Sequence, residues 1–149
     1  MKSQLLNKLF ATNAGVASLV LRVPVGIILA AHGSQKLFGW FGGYGLEGTG
    51  QWMASLGMTP GYLMALLAGS AEFFGGLALV LGLLTRPAAL VAAFTMLMAI
   101  LSVHISNGLF LANNGYEYAL ALMVALLTLA IQGSGRFSVD SKIAARLAR

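Results

Sequence analysis

Residues 16–38 read VASLVLRVPVGIILAAHGSQKLF, and this stretch decides the fold. At about 1.5 Å of rise per residue, a helix of this length crosses a hydrocarbon core of about 30 Å. The run nevertheless carries Arg22, His32 and Lys36. At about 100° per residue, Arg22, Gly33 and Lys36 share one face, with His32 at its edge and Gly26 and Ala30 close by. That face is small and polar, so it is expected to point into a bundle of further spans rather than at lipid. Arg22 and Pro24 interrupt the run in a way a cleaved signal peptide does not tolerate, and more apolar runs follow it.

Three such runs follow. The second covers roughly residues 61–84 and contains Glu72; the third covers 87–106, with His104 near its end; the fourth covers 116–132, with Glu117 in its first turn. The fourth is at the short end of the range for a span. Thr85-Arg86-Pro87 makes the turn between the second and third, with Pro87 suited to the first turn of a helix. A Gly-rich segment from Gly39 to about Pro60 reads as a loop, its edges marked by Trp40, Tyr44, Trp52 and Tyr62 as an interfacial aromatic belt. Asn107–Gly115 reads as a polar loop. Short amphipathic stretches at both ends, Met1–Ala14 and Ser138–Arg149, read as helices lying on the membrane surface, with Asp140 capping the second. The expectation is one all-α domain over residues 1–149, a four-helix transmembrane bundle.

Composition supports this independently. The chain is 58% hydrophobic and 9% charged, against about 25% charged in a soluble domain. It lacks the residues to build a polar shell. The net charge of +5 comes from residues at the ends of apolar runs, with no basic run interleaved with aromatics, so nucleic acid is excluded as a partner and the lipid bilayer takes its place. Without cysteine, the chain has no thiol relay, disulfide or thiolate-held cluster. Sulfur redox chemistry linked to it has to sit on a partner or a bound molecule.

Lysine and arginine set the orientation. Lys2 and Lys8 precede the first span, Arg86 lies in the second turn, and Arg136, Lys142, Arg146 and Arg149 follow the last; the other two loops have none beyond Lys36 at a helix end. The positive-inside rule then places both termini in the cytoplasm, with the Gly-rich segment and the Asn107–Gly115 loop outside.

An ionisable group at the centre of a spanning helix costs roughly 2.5–3.5 kcal/mol on insertion scales. Arg22, His32, Lys36, Glu72, His104 and Glu117 therefore need partners, water or a ligand. Ala68, Glu72 and Gly76 stack at four-residue spacing, a small-residue stripe that would bury Glu72 against a neighbouring helix. The economical arrangement is a polar pocket opening outward and floored by Glu72. Each residue also has a plainer reading. Arg22 and Lys36 snorkel to the two interfaces; Glu72 pairs with a cation to hold helices together; Glu117 favours a helix N-terminus. His104 shares its face with Leu97 and Leu101 rather than with Thr95 and Ser102, which suits a helix-end anchor. His32 and His104 have similar depth, the minimum for haem ligation, but no supporting pattern for haem or metal accompanies them. A quinone or other flat amphipathic ligand suits these residues better, since it needs an apolar slot, a few donors and a proton carrier. His32, Lys36 and Glu72 supply the polar part; the seven methionines and eight phenylalanines supply walls.

The stretches Arg22-Val-Pro-Val-Gly-Ile, His32-Gly-Ser-Gln-Lys-Leu-Phe-Gly, Ala71-Glu-Phe-Phe-Gly-Gly and Leu81-Gly-Leu-Leu-Thr-Arg-Pro occur in order. They are followed by His104, Gly108-Leu-Phe, Asn114-Gly-Tyr-Glu-Tyr-Ala and Gly133-Ser-Gly-Arg-Phe-Ser-Val-Asp140. In order and spacing the chain resembles the DoxX family of small bacterial membrane proteins, from about Leu21 to Asp140. The resemblance implies a four-helix transmembrane bundle in the bacterial inner membrane and a redox setting. Relatives include the membrane subunit of a thiosulfate:quinone oxidoreductase and a component that assembles with a superoxide dismutase and a sulfurtransferase. The family pattern falls on Arg22, Lys36, Glu72, His104 and Glu117. The functional expectation is a quinone-type redox ligand and support of a partner oxidoreductase; the alternative is a non-enzymatic scaffold or small-solute transporter. Small-residue faces fit a homo-oligomer or a single tight bundle equally.

Overall fold

Glycine determines how the helices meet. A computed structural model describes Phe10 and residues 14–147. Its helices are α1 (Val16–Phe38), α2 (Gly45–Ser55), α3 (Gly61–Leu81), α4 (Thr85–Ala99), α5 (Glu117–Gln132) and α6 (Val139–Leu147). The described residues contain no strand. The expected N-terminal surface helix falls almost wholly outside the described residues.

α1 lies directly against α3, with Gly26, Ala30 and Gly33 facing Gly69 and Gly76. A Cβ on Gly26 would come within 2.6 Å of the Gly76 carbonyl oxygen, and one on Gly33 within 2.7 Å of the Gly69 carbonyl oxygen. No side chain fits there, so the backbones approach closely enough for packing and weak C–H···O contacts to hold them. The buried row of α3 is Ala65, Gly69, Glu72, Gly76 and Leu79. The sequence stripe through Ala68 is therefore one residue off; Ala68 faces the cavity described below. α4 packs on α3 and on α5, and α5 returns to α1, which closes a ring of four helices. Its apolar centre comprises Leu29, Leu79, Ala89, Ala92, Met96, Leu122, Leu126 and Leu129, among others.

The outer surface is apolar too. Val20, Ile27, Phe74, Leu90, Phe94, Val124 and Ile131 are each more than half exposed. In water such a girdle would drive aggregation; around a bundle of this kind it is the surface that meets lipid. Three helical segments are long and apolar enough to cross a membrane: Val16–Phe38, Gly61–Leu81 and Thr85–Asn107. α5 is equally apolar but has 16 residues.

Two segments depart from the sequence reading. The Gly-rich stretch is not simply a loop, because Gly45–Ser55 forms α2, packed on the start of α3. Gly50 and Gly61 are in such close contact that neither position has room for a Cβ. Tertiary contact here overrides the poor helix propensity of Gly45, Gly48 and Gly50. The third span begins at Thr85, and past Ala99 it widens into a π-turn, Ile100–His104, and then tightens to a 3₁₀ turn, Ile105–Asn107. A π-turn adds one residue to the helix and rotates everything after it by about 100°. That rotation moves His104 off the Leu97 face.

Candidate functional site

The six ionisable residues expected to matter are not one cluster. They separate into a sealed end, an open cavity and two positions that line neither.

The sealed end is built on Arg22, near the start of α1 and 1% exposed. Its Nε donates to the Ser134 carbonyl at 3.0 Å, and Nη1 donates to the carbonyls of Leu79 at 2.8 Å and Val80 at 2.5 Å. Nη2 donates to the Phe137 carbonyl. Two of these acceptors close the C-terminus of α3, where helix carbonyls are unpaired and partially negative. Arg22 thus does not snorkel; the fold supplies its acceptors. Ser18 Oγ donates to the Gly133 carbonyl at 2.7 Å, and Ser134 and Ser138 share a hydroxyl contact at 2.8 Å. Asp140 completes the end. Its two oxygens accept the N–H groups of Leu84 at 2.7 Å and Thr85 at 2.9 Å. It therefore caps α4 rather than its own helix, whose first turn is capped by Ser138 Oγ accepting the Ser141 N–H at 3.1 Å, and it holds Leu84 at φ 48°, a left-handed conformation costly for leucine. Arg86 donates to the carbonyls of Ala130 and Ile131, both at 2.8 Å, and so closes α5.

The open site lies toward the other end of α1. Lys36 Nζ and Glu72 Oε2 pair at 2.6 Å, joining α1 to α3, with side-chain exposures of 23% and 4%. Both residues line a cavity of about 710 Å³, within the usual size for a small-molecule site. α3 contributes Met64, Leu67, Ala68 and Ala71; α4 contributes Val91, Thr95 and Met98, and the π-turn after it Ser102; α2 adds Trp52 and Met53. His104 reaches the same cavity through the π-turn, its Nδ1 at 2.9 Å from the Asn114 carbonyl oxygen. The walls are otherwise apolar and rich in methionine.

Lys36, Glu72 and His104 are thus brought together on one cavity, and Arg22, His32 and Glu117 are not. His32 is exposed on α1, its ring 6.3 Å from that of Tyr118. It is not among the residues that line the cavity bordered by His104. Glu117 Oε1 accepts the Leu111 N–H at 2.6 Å and ties the last loop to the start of α5. Among the described residues, no group of three or more His, Cys, Asp or Glu side chains could hold a metal ion. Ala68 and the Thr95–Ser102 side stand out in the sequence; Met64 and Ala71 on α3, and Val91 and Met98 on α4, extend the same two stripes. Each follows four- and three-residue steps, so helical periodicity alone could have found them.

The family model described as DoxX matches residues 17–105. The chain is 33% identical over 125 residues to the Bacillus subtilis protein named "Putative oxidoreductase CatD", covering 84% of this chain and 85% of that one. It is 36% identical over 131 residues to the Escherichia coli inner membrane protein YqjF, covering 84% and 90%. It is 31% identical over 138 residues to the Escherichia coli inner membrane protein YphA, covering 89% and 94%. No solved structure matches the chain.

Proposed function

The chain belongs to the DoxX family, and on that footing we propose that it binds a quinone or similar redox-active ring in the Lys36–Glu72 cavity and supports a partner oxidoreductase. The observation that carries this reading is the placement of the ion pair. A carboxylate 4% exposed and an ammonium group lie on the wall of an apolar cavity of about 710 Å³. In such surroundings an ion pair is electrostatically strong and can hold a ring oxygen or move a proton. The name of the Bacillus relative lends a redox context.

The same proposal includes four spans with both termini cytoplasmic. α5, at about 1.5 Å per residue, reaches about 24 Å, enough for a thin or locally adapted bilayer. Arg86, Arg136, Lys142 and Arg146 all sit in or after the turns at the Arg22 end, the pattern of a cytoplasmic face. The cavity then opens toward the outer leaflet.

A second reading has its own support. The Lys36–Glu72 bond joins α1 to α3 directly, as a purely structural tie would in a scaffold. Mass spectrometry of organic extracts separates the two. The protein and its Glu72→Gln variant are purified gently in native lipid. A quinone near one per chain in the parent, lost in a folded variant, supports the ligand site. Bulk lipid alone in both proteins refutes it and leaves the scaffold.

A further inference from the structure

The polar atoms of the cavity are unequal in number and kind. Among the described residues Lys36 is the one lysine or arginine on its wall, and one of its N–H groups is engaged by Glu72 Oε2. Glu72 Oε1 accepts no hydrogen bond from any described residue. Thr95 Oγ1 donates to the Val91 carbonyl at 3.1 Å, which uses its only proton and leaves lone pairs. His104 Nδ1 faces the Asn114 carbonyl at 2.9 Å. A carbonyl can only accept, so Nδ1 carries the proton of the neutral ring and Nε2 is left as a bare acceptor. Asn107 Nδ2, 3.3 Å from the same carbonyl, helps to fix it in place. Ser102 and Asn114 can play either part, and Trp52 Nε1 adds one donor, so the imbalance lies in the acceptors that a quinone cannot serve.

We infer that the cavity is selective for a ring that donates hydrogen bonds, a hydroquinone or other phenol, over the corresponding quinone, and that His104 Nε2 is a principal acceptor. The inference rests on the cavity being the ligand site proposed above and names the form of ligand it holds. A quinone offers only carbonyl acceptors, which Lys36 alone of the charged groups can satisfy. It would leave Glu72 Oε1 and His104 Nε2 desolvated and unpaired, and the lone pairs of Thr95 Oγ1 unused. A hydroquinone supplies the protons these atoms need. Failure to pair a buried acceptor is costly, which makes discrimination by hydroxyl groups sharp. The π-turn is the device that brings His104 to the wall, in keeping with the frequent occurrence of such turns at functional sites.

The test uses the full chain in lipid nanodiscs under anaerobic conditions. Trp52 lines the cavity, so quenching of its fluorescence in a Trp40→Phe background reports binding. The probes are decyl-benzohydroquinone, the matching benzoquinone and the hydroquinone dimethyl ether. The hydroquinone is expected to bind about tenfold more tightly than either other probe. His104→Phe is expected to remove most of that preference while quinone affinity stays within about twofold, since a neutral wall position costs a quinone little. Thr95→Val, which keeps side-chain volume, provides a second variant if His104→Phe does not fold, and is expected to reduce the preference by a few-fold. Equal or tighter binding of the quinone overturns the inference and leaves the ligand site standing. Absence of binding by all three probes overturns both.

Discussion

Arg22 and Glu72 are both almost fully buried charges in apolar helices, yet the molecule treats them in opposite ways. Around Arg22 four of the five N–H groups meet carbonyls, those of Leu79, Val80, Ser134 and Phe137, and the neighbouring serines and Asp140 complete a closed polar knot. Around Glu72 one oxygen meets Lys36, and the residue borders a cavity of about 710 Å³. The first arrangement satisfies a charge by helix termini and leaves nothing for a ligand. The second leaves acceptor capacity open to a cavity. Burial alone therefore does not mark a functional residue in this bundle; what distinguishes the two is unspent hydrogen-bonding capacity beside open space.

The largest expected effect lies at the knot. Arg22→Met retains an apolar stem but leaves carbonyls of α3 and of the Ser134–Phe137 turn without donors. Breaking a buried charged network of this kind costs about 3–5 kcal/mol. Thermal unfolding in detergent micelles should show a large drop in midpoint, or no monodisperse protein at all. A midpoint within a few degrees of the parent would show that water or lipid headgroups can replace Arg22, and the contrast between the two ends would fail. Next comes Asp140→Asn. The amide retains one acceptor oxygen where the carboxylate uses two, on the Leu84 and Thr85 N–H groups. Loss of one capping bond and of the favourable charge at the start of α4 should cost about 1–2 kcal/mol. The same unfolding assay checks it, and ligand binding at the far end should be unchanged.

Glu72→Gln sharpens the comparison from the other side. The amide oxygen can still accept from Lys36, and the cavity gives Lys36 room to hydrate, so the expected stability loss is about 1 kcal/mol, well below that for Arg22→Met. Its effect should appear instead in extractable or added ligand, reduced about tenfold or more. A stability loss as large as that of Arg22→Met would make the pair a structural tie and the two ends alike.

The sequence made much of this legible and some of it not. The apolar runs and the Gly26–Ala30–Gly33 face depend on periodicity and local chemistry, and the structure has them where expected, while the turn expected at Thr85-Arg86-Pro87 falls at Gly82–Leu84 and those three residues open α4. The partners of Arg22 lie 57 to 115 residues away, and Asp140 caps α4 across 55 and 56 residues. No pattern in either segment encodes such pairings. α2 forms in a segment whose glycines argue against it, because one of them, Gly50, lets it approach α3. His104 is the most instructive case. A regular helix puts it with Leu97; a single extra residue in the turn at Ile100–His104 turns it onto the cavity. Periodicity assumes an unbroken helix and has no means of detecting that slip.

Glu117 should show the smallest effect, and it tests whether two regions suffice to describe the charges. Its Oε1 accepts the exposed Leu111 N–H at 2.6 Å, and it stands in the first turn of α5, where the helix dipole favours a carboxylate. Both contributions are partly met by water on replacement. Glu117→Gln keeps an acceptor and removes only the charge, so the expected loss is about 0.3–1 kcal/mol, with ligand binding within twofold of the parent. The effect should shrink with added salt, since a half-buried charge at a helix end is screened more than Arg22 or Glu72. If Glu117→Gln instead abolished ligand binding with the fold intact, the Leu111–Glu117 loop would belong to the site, and the boundary of the cavity would have to be redrawn to include the mouth of α5. A variant that remains folded and binding leaves Glu117 as a helix-terminus anchor, and the contrast between spent and unspent hydrogen-bonding capacity then accounts for the remaining charges on its own.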